Sequence, residues 1–257
     1  MLKKRIIFTL LYNDGSFMLS RNFRLQRVGD LKWLQKNYNF SNISFFIDEL
    51  IILDVTRKER NLERFCEHIR ALAEGCFVPI AAGGGICSVQ QAKVLLRSGA
   101  DKIVINSLLA DNQKEIFSLA SQFGHQCILA SVDVKRIEEN FVAFTHNGEK
   151  RQDKLLKEWL QTCVDLPTGE IYLNSIERDG TGHGYLMEML AYLPSSTTVP
   201  VILAGGAGKP AHLAEGLKDS RVDAVATAHL FNFVGNGLKL ARKELIELGH
   251  KLPIWDQ

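Results

Sequence analysis

Residues 78–107 carry a clear order of apolar and polar positions. A short apolar run bounded by Pro79 and three glycines predicts a buried strand. Ser88 can cap the helix that the next apolar residues predict by their spacing. These residues are Val89, Ala92, Leu95 and Leu96. A second apolar run ends in Asn106-Ser107, so the segment is a βαβ unit with two parallel strands.

Residues 199–228 repeat this pattern. Pro200 lies 121 residues after Pro79, and Glu170 lies 121 residues after Glu49. Two remote pairs with one offset predict a (β/α)8 TIM barrel, an α/β fold, built from two similar half-barrels. The half-barrels cover about residues 1–123 and 124–257. Such barrels typically need about 250 residues, so we expect a single domain over residues 1–257.

The remaining apolar patterns predict the other elements. Strands are expected at residues 5–11, 48–55, 127–134 and 170–175, and helices at about 30–38, 62–72, 112–123, 154–164 and 237–248. Asn13-Asp14-Gly15 predicts a turn into a short returning strand at 17–19, followed by a long loop. Asn147-Gly148 predicts a small hairpin after the strand at 127–134, and a helix is expected after the loop at 177–185.

Composition narrows the class of protein without naming a reaction. The chain is 46% hydrophobic and 23% charged, which is enough for a large core. A net charge of +2 is too small to indicate nucleic acid or an acidic membrane as a partner. The five cysteines have no C-x-x-C spacing and are expected to be small buried residues in a reducing compartment. The histidines, His68 included, lack metal-ligand partners, so we expect no metal and no cofactor.

The first twelve residues weakly resemble a signal peptide, because Lys3-Lys4-Arg5 precedes an apolar run. Asn13-Asp14-Gly15 follows where a small-residue cleavage site would stand. We therefore expect the first strand of a cytoplasmic protein, with no segment long enough to cross a bilayer.

Two glycine turns are candidate phosphate sites. Gly84 with Gly85, and Gly205 with Gly206, follow predicted strands and leave backbone N–H groups free to face an anion. Asn106-Ser107 can add side-chain donors to the first turn. Two symmetric copies favour a long ligand with a phosphate at each end. The alternative is that the glycines only permit tight turns.

Several motifs resemble one family along nearly the whole chain. RII, DELIILDV, GGGI-x-S, GADK-x-x-INS, FG-x-Q, RDGT-x-x-GY and GGAG stand in the order and spacing of HisF, the cyclase subunit of imidazole glycerol phosphate synthase. The resemblance implies a (β/α)8 barrel that takes ammonia from a separate HisH-type glutaminase. It also implies a bis-phosphorylated aminoimidazole-carboxamide ribonucleotide as substrate and imidazole glycerol phosphate as product.

The resemblance further implies an ammonia gate at the bottom of the barrel. Its four alternating charges match Arg5, Glu49, Lys102 and Glu170. Each lies near the start of a predicted strand, where its side chain can point inward. Asp101 matches a carboxylate that faces the glutaminase. The alternative is a structural ion network that only closes the barrel.

The catalytic positions match only in part. The family uses two aspartates as general acid and base, and Asp133 matches the second. Leu11 stands at the first position, and the internal repeat also aligns Leu11 with Asp133. Because leucine cannot transfer a proton, one step lacks its group. Asp179, in the RDGT motif, is kept as a second candidate catalytic residue, and Asp14 lies nearby in a turn.

Other departures accompany Leu11. Leu19 replaces a lysine that helps to close a loop over the substrate, and Leu186 replaces an aspartate. Beside the second phosphate turn, His229 replaces a serine and follows Ala228, so phosphate binding by these two residues is in question. Asp54 and Ser107 are kept.

A HisF-like barrel with its gate kept and its first aspartate lost resembles paralogues associated with amidation of bacterial surface-glycan sugars, of the lipopolysaccharide or O-antigen type. The resemblance implies a heterodimer with the glutaminase, and a sugar amidotransferase that receives the ammonia. One alternative is a cyclase of histidine biosynthesis that uses other residues. A second alternative is a non-catalytic barrel that activates the glutaminase.

Overall fold

The computed structural model describes residues 3–37, 44–195, 197–228 and 237–253. Eight parallel strands close into a ring. In ring order these are β1 (Arg5–Asn13), β4 (Glu49–Asp54), β5 (Ile80–Gly83), β6 (Lys102–Ile105), β7 (Ile128–Ile137), β10 (Glu170–Ser175), β11 (Val201–Ala204) and β12 (Ala224–Thr227). β12 pairs with β1 to complete the ring. The predicted (β/α)8 barrel is confirmed, while its division into two half-barrels stays a prediction.

Four further strands extend the sheet beyond the ring. They are β2 (Ser16–Arg21), β3 (Arg24–Gly29), β8 (Asn140–Thr145) and β9 (Lys150–Leu155). β2 and β3 form an antiparallel ribbon on β1, and β8 and β9 continue antiparallel from β7. The expected long loop after residue 19 is wrong, because Asn22 and Phe23 take positive φ angles of 52° and 64° and turn the chain into β3. β3 is mostly exposed, so it lacks the apolar alternation that predicts a strand.

The helices surround the strands, and most of them cover the outside of the ring. They are α1 (Leu31–Asn37), α2 (Leu62–Ala73), α3 (Val89–Arg97), α4 (Leu108–Asp111), α5 (Gln113–Phe123), α6 (Leu156–Asp165), α7 (Pro210–Lys218) and α8 (Gly237–Glu247). In α2, Phe65, Ile69 and Leu72 share one buried face, and Asn61 Oδ1 caps the first turn by accepting from Arg64 N at 2.9 Å.

The helix expected after residue 185 is instead a 3₁₀ helix, Met187–Tyr192. Met189 and Leu190 are buried, as an amphipathic helix would require. Pro194 follows closely, however, and proline disfavours a helical conformation in the residue before it. The segment therefore ends after six residues.

Side chains alternate between two apolar layers. One set fills the space between strands and helices, and a second, smaller set fills the inside of the ring. The inner set includes Ile7, Ile51 and Tyr172. Because successive strand residues face opposite sides, each strand presents every second residue to the barrel axis. The inner positions therefore form levels, from the strand starts to the strand ends.

A buried ion pair ties the last described helix to the barrel. Arg242 Nη2 lies 2.8 Å from Asp48 Oδ1, and both side chains are less than a tenth exposed. Asp48 Oδ2 also accepts a hydrogen bond from the backbone N–H of Ile6 at 2.8 Å. Each charge is thus both paired and hydrogen-bonded, as buried charges must be. The pair joins α8 to the amino-terminal ends of β4 and β1.

All five cysteines are free. Cys66, Cys76 and Cys163 are buried as expected, whereas Cys87 is exposed and Cys127 is half-buried. The expectation that all are buried is wrong for these two: Cys87 lies in the loop after β5, and Cys127 ends a short 3₁₀ helix before β7. Within the described part of the chain, no helix combines the length and apolarity needed to span a membrane.

Candidate functional site

Four charged side chains meet at the amino-terminal end of the barrel. Arg5 Nη1 lies 2.9 Å from Glu49 and 3.0 Å from Glu170. Lys102 Nζ lies 2.9 Å from Glu49 and 3.3 Å from Glu170. Each cation thus contacts both anions, and we call Arg5, Glu49, Lys102 and Glu170 the floor cluster. They meet because each is the first residue of its strand, on β1, β4, β6 and β10.

Burial and the neighbouring charges have opposite effects on the pKa values of the floor cluster. Burial raises the pKa of Glu49, whose side chain is 2% exposed, although the neighbouring Lys102 ammonium opposes the rise. For Arg5, burial would lower the pKa, but Glu170 and Glu49 outweigh it and the pKa is raised. Two cations and two anions leave the cluster neutral overall. Lys102 is 19% exposed, so its long side chain reaches the solvent side.

Asp101 lies beside the floor cluster at the start of β6 and is exposed. Its Oδ2 accepts a hydrogen bond from the backbone N–H of Ile80 at 2.8 Å. The carboxylate therefore anchors the neighbouring strand β5, and it still faces the end of the barrel at which the floor cluster lies.

The inside of the barrel above the floor cluster is apolar up to one hydroxyl pair. Thr9 Oγ1 and the Tyr172 hydroxyl are 3.2 Å apart, and both residues are at most 5% exposed. Tyr172 lies two residues after Glu170 on β10, so it occupies the next inner level. No sequence signal distinguishes Tyr172 from an ordinary core tyrosine.

A cavity of about 910 Å³ opens at the opposite end, where the strands end. Its lining includes residues from the ribbon β2–β3 and from the loops that follow β4, β5, β6, β10, β11 and β12. Thr9 and Tyr172 lie at its base. Strand ends are where barrel enzymes hold their substrates, so this cavity is the candidate active site.

Asp133 lies in this cavity and is held by two amides. Asn174 Nδ2 donates to Oδ1 at 2.8 Å, and Asn106 Nδ2 donates to Oδ2 at 3.2 Å. Burial raises the pKa of Asp133 to about 7, the Asn174 hydrogen bond opposes this rise, and the negative charge of Asp179 adds to it. A carboxyl group with a pKa near neutrality is suited to proton transfer.

Leu11 also lines the cavity, near the end of β1. Its cross-strand neighbours are Leu53 on β4 and Met18 on β2, so its surroundings are apolar. Asp14 lies beyond β1 and is bound outside the cavity to Arg64, at 2.8 Å. The structure therefore places an apolar side chain at the strand end, and Asp14 does not line the cavity in its place.

The ribbon β2–β3 is bound to Asp179. One Asp179 oxygen accepts from the Ser20 hydroxyl and from the Phe23 N–H, the latter at 3.1 Å. The Asn22 N–H donates to the backbone carbonyl of Asp179 at 2.9 Å. Burial raises the Asp179 pKa, and the bonds from Ser20 and Phe23 oppose the rise. Asp179 lines the cavity while it fastens the ribbon across the opening.

The first glycine turn lies at the end of β5. Gly84 has a φ of +127°, and a Cβ there would lie 2.3 Å from the Asp54 carbonyl oxygen, so only glycine fits. The Asn106 amide nitrogen points at Asp133 and not into the turn. Ser107 Oγ accepts from the His146 N–H at 3.1 Å. The side chains of Asn106 and Ser107 are thus engaged elsewhere, and the groups left to bind an anion at this turn are chiefly backbone N–H groups.

The second glycine turn is formed by Gly205 and Gly206, after β11. Gly206 has a φ of +111°, and its carbonyl accepts from the Gly184 N–H at 2.8 Å. Both glycines and Ala228 line the cavity. His229 lies outside the described residues. Leu186 is buried, at 3% exposure, away from the cavity lining.

Sequence reasoning missed Arg60 and Asn174. Arg60 follows β4 in a loop and lies against Gly85, where an added Cβ would come within 2.8 Å of its Nη1. Asn174 lies on the inner face of β10, and only the register of β10 with β7 brings it opposite Asp133. Burial raises the pKa of the neighbouring Asp54, which the positive charge of Arg60 opposes. No group of His, Cys, Asp and Glu in the described ranges is arranged to hold a metal ion.

Comparison with known proteins identifies similar chains. A family model described as "Histidine biosynthesis protein" matches residues 34–235. A protein provisionally named imidazole glycerol phosphate synthase subunit hisF2, from Parasynechococcus marenigrum (strain WH8102), is 48% identical over 244 residues, which is 95% of this chain and 91% of the relative.

Two relatives carry the name imidazole glycerol phosphate synthase subunit HisF. The protein from Chlorobium phaeovibrioides (strain DSM 265 / 1930) is 34% identical over 250 residues, which cover 97% of this chain and 98% of the relative. The protein from Thermotoga sp. (strain RQ2) is 37% identical over 234 residues, which cover 91% and 90%. The similarity therefore extends over nearly the whole chain.

Proposed function

This chain belongs to the histidine biosynthesis protein family as a HisF-like subunit, and we propose that it docks a HisH-type glutaminase and conducts ammonia to a separate sugar amidotransferase. The ammonia would amidate a bacterial surface-glycan sugar. The glutaminase would bind the amino-terminal end of the barrel, around Asp101. The cavity at the other end would bind a phosphorylated ligand.

The floor cluster is the observation that carries this proposal. Its charges contact one another at 2.9–3.3 Å across the axis of the barrel. Apolar side chains would close this end at equal or lower cost, because burying four charges requires their desolvation. A charged closure has one property that an apolar plug lacks: Lys102 can exchange its carboxylate contacts for water and open a path. The flexibility of the lysine side chain supports this role.

The levels above the floor cluster suit a neutral ammonia molecule. Ile7, Ile51 and Leu129 line the inside of the barrel and would exclude the ammonium ion, which loses its hydration there. The hydroxyls of Thr9 and Tyr172 offer the first polar contact at the base of the cavity. Asn106 Oδ1 is buried and accepts no hydrogen bond within the described part of the chain. An ammonia N–H is a suitable donor for this oxygen.

Leu11 argues against cyclisation as the main activity. Two proton transfers at different places on a substrate need two groups, and positioned acid–base catalysis is worth roughly 10²–10⁴-fold for each group. Asp133 alone supplies one of them. We therefore infer that the cavity has lost the cyclase reaction while the end that would face the glutaminase has kept its charges.

The second candidate is a cyclase of histidine biosynthesis. The raised pKa of Asp133, about 7, favours it, because such a group can both donate and accept a proton near neutral pH. Asp179 would then supply the missing group. A barrel that only activates the glutaminase is the third candidate, and the neutral floor cluster would serve it as a structural closure.

Deletion of the gene in the native organism separates these candidates. We expect the NMR spectrum of the surface glycan to lose the carbon signal of the acetamidino group, which is the amidated group of the sugar. Growth in medium without histidine should be unchanged. A histidine requirement with an unchanged glycan would contradict the proposal and favour the cyclase. Affinity purification of the tagged chain from the same organism should recover a glutaminase subunit in equal amount, and its absence would contradict the docking step.

A further inference from the structure

The wall of the cavity is apolar on the side of β1 and β4. Leu11 and Leu53 are direct cross-strand partners, and both line the cavity. Leu19 and Leu25, from the ribbon β2–β3, extend the same wall. All four side chains are half-buried, so each still presents surface toward the cavity. This apolar wall, defined by Leu11, Leu19, Leu25 and Leu53, has no part in the proposed passage of ammonia.

A positive group lies at one end of this wall. The Arg60 guanidinium sits against Gly85 and lines the cavity with it. Arg60 Nη2 donates to the amide oxygen of Asn147, a neutral acceptor, at 3.4 Å. Gly85 has a φ of +72°, and any side chain there would have to displace Arg60. The turn therefore places a guanidinium and backbone N–H groups side by side, which suits a phosphate.

Arg57 holds the two loops that border this end. It donates to the Phe23 carbonyl at 2.9 Å and lies 3.5 Å from Glu149. It thus bridges the ribbon β2–β3 and the turn before β9, and its charge is already balanced by Glu149. Arg60 forms no ion pair within the described residues, although its charge also acts on the Asp54 carboxylate, so it is the guanidinium in this loop that can bind an anion at Gly85.

From this juxtaposition we propose that the cavity takes a phosphate monoester with an apolar body, an alkyl or aryl group, rather than a phosphorylated sugar. The phosphate binds Arg60 and the Gly84-Gly85 turn, and the body packs on the apolar wall. The inference rests on the proposed function only for the presence of a phosphorylated ligand, and it specifies the class of that ligand.

Desolvation decides between the two ligand classes. Sugar hydroxyls placed against Leu11 and Leu53 would lose hydrogen bonds to water without replacement. An apolar body gains binding free energy in proportion to the apolar area that it buries. A body the size of a phenyl ring should therefore tighten binding by about tenfold or more over phosphate alone.

The test is a titration of the isolated chain with three probes, inorganic phosphate, ribose 5-phosphate and phenyl phosphate. Amide NMR shifts of Gly84 and Gly85 report occupancy, and calorimetry gives the dissociation constants. We expect phenyl phosphate to bind at least about tenfold more tightly than the other two. Ribose 5-phosphate binding as tightly as phenyl phosphate would overturn the proposal, as would glycine shifts that do not respond to any probe.

Variants assign the two ends of the ligand. Arg60→Gln should weaken all three probes by about tenfold, because it removes a charge-assisted hydrogen bond, whereas Arg64→Gln, outside the cavity, should not. Leu11→Thr should reduce the preference for phenyl phosphate to about threefold or less and leave inorganic phosphate unchanged. Leu240→Thr, on an exposed position of α8, is the control. An unchanged preference in Leu11→Thr would contradict the apolar wall.

If Leu11→Thr fails to fold, Leu19→Thr makes the same test from the ribbon, where most positions of β2 are not fully buried. Glutaminase docking concerns the opposite end of the barrel and is measured by co-purification. A chain that binds its glutaminase but prefers ribose 5-phosphate would therefore refute this inference alone.

Discussion

Asn174 Nδ2 donates a hydrogen bond to Asp133 Oδ1 at 2.8 Å. Burial raises the pKa of Asp133, and this hydrogen bond is the main contribution that lowers it. The two residues lie opposite each other on β10 and β7. A donor to a carboxylate stabilises the ionised form. Asn174 therefore keeps the pKa of Asp133 near 7, so that the carboxyl group is not protonated at every pH in the neutral range.

Replacing this amide should raise the Asp133 pKa further. In Asn174→Leu, the carboxylate loses its shortest hydrogen bond, and we expect its pKa to rise by about one unit or more above 7. Carbon-detected NMR of the labelled side-chain carboxyl measures it. Asn140→Leu, at the exposed first residue of β8, should leave it unchanged. A lower pKa in Asn174→Leu would show that the amide does not stabilise the carboxylate.

Asp133 should also make the chain less stable as pH rises. Its pKa is about 7 in the folded state and 3.8 unperturbed, so the native state holds a proton that the unfolded state has lost. The free energy of unfolding should therefore fall between about pH 4 and pH 7 and level off above. The total is roughly 4 kcal/mol at most, and less to the extent that water in the cavity reaches Asp133.

Urea unfolding at about pH 5 and pH 8 measures this contribution. Asp133→Asn should show a smaller loss of stability between the two than the wild type, because the asparagine does not titrate. The same loss in both proteins would mean that other buried acids, such as Asp54 or Asp179, govern the pH dependence.

The buried Asp48–Arg242 pair should be costly to break from one side. Arg242→Met leaves the Asp48 carboxylate, which is 3% exposed, without its cation, and we expect a loss of about 3–5 kcal/mol in the free energy of unfolding. Lys243→Met, on the exposed face of the same helix, should change it by less than about 0.5 kcal/mol. Chemical denaturation of both variants provides the comparison, and equal effects would show that the pair contributes nothing special.

Leu11 can be tested by restoring the missing carboxylate. We expect the wild type to turn over the bis-phosphorylated ribonucleotide negligibly, even with abundant ammonium salt. Leu11→Asp should recover part of the rate only, because Leu19 and Leu53 keep that wall apolar. Asp133→Asn in the Leu11→Asp background should abolish the gain. Wild-type turnover comparable to that of a working cyclase would refute the loss of cyclisation and point to Asp179 as the second group.

The sequence contains enough to predict the ring, which follows from repetition, whereas the floor cluster is predicted from the resemblance to HisF together with strand alternation. Strand alternation places every second residue inward, so Glu49 and Glu170, one repeat apart, must lie at one level. β3 escaped prediction because an exposed ribbon has no apolar alternation. The roles of Asn174 and Arg60 were not predicted for another reason. Asn174 meets Asp133 only through the register of two strands, and Arg60 meets Gly85 only through loop packing, because each partner lies far away in sequence.

Charge reversal of Lys102 tests most directly whether ammonia passes the floor cluster. In the complex with its glutaminase, Lys102→Glu removes both cation–carboxylate contacts at 2.9 and 3.3 Å and places a third anion among them. Lys114→Glu, on the exposed side of α5, is the matched control. The measurement is the fraction of glutamine-derived ¹⁵N that reaches the acceptor sugar rather than free ammonia in solution. We expect Lys102→Glu to lower this fraction at least about tenfold with the complex intact, and transfer equal to the wild type would contradict passage through the barrel.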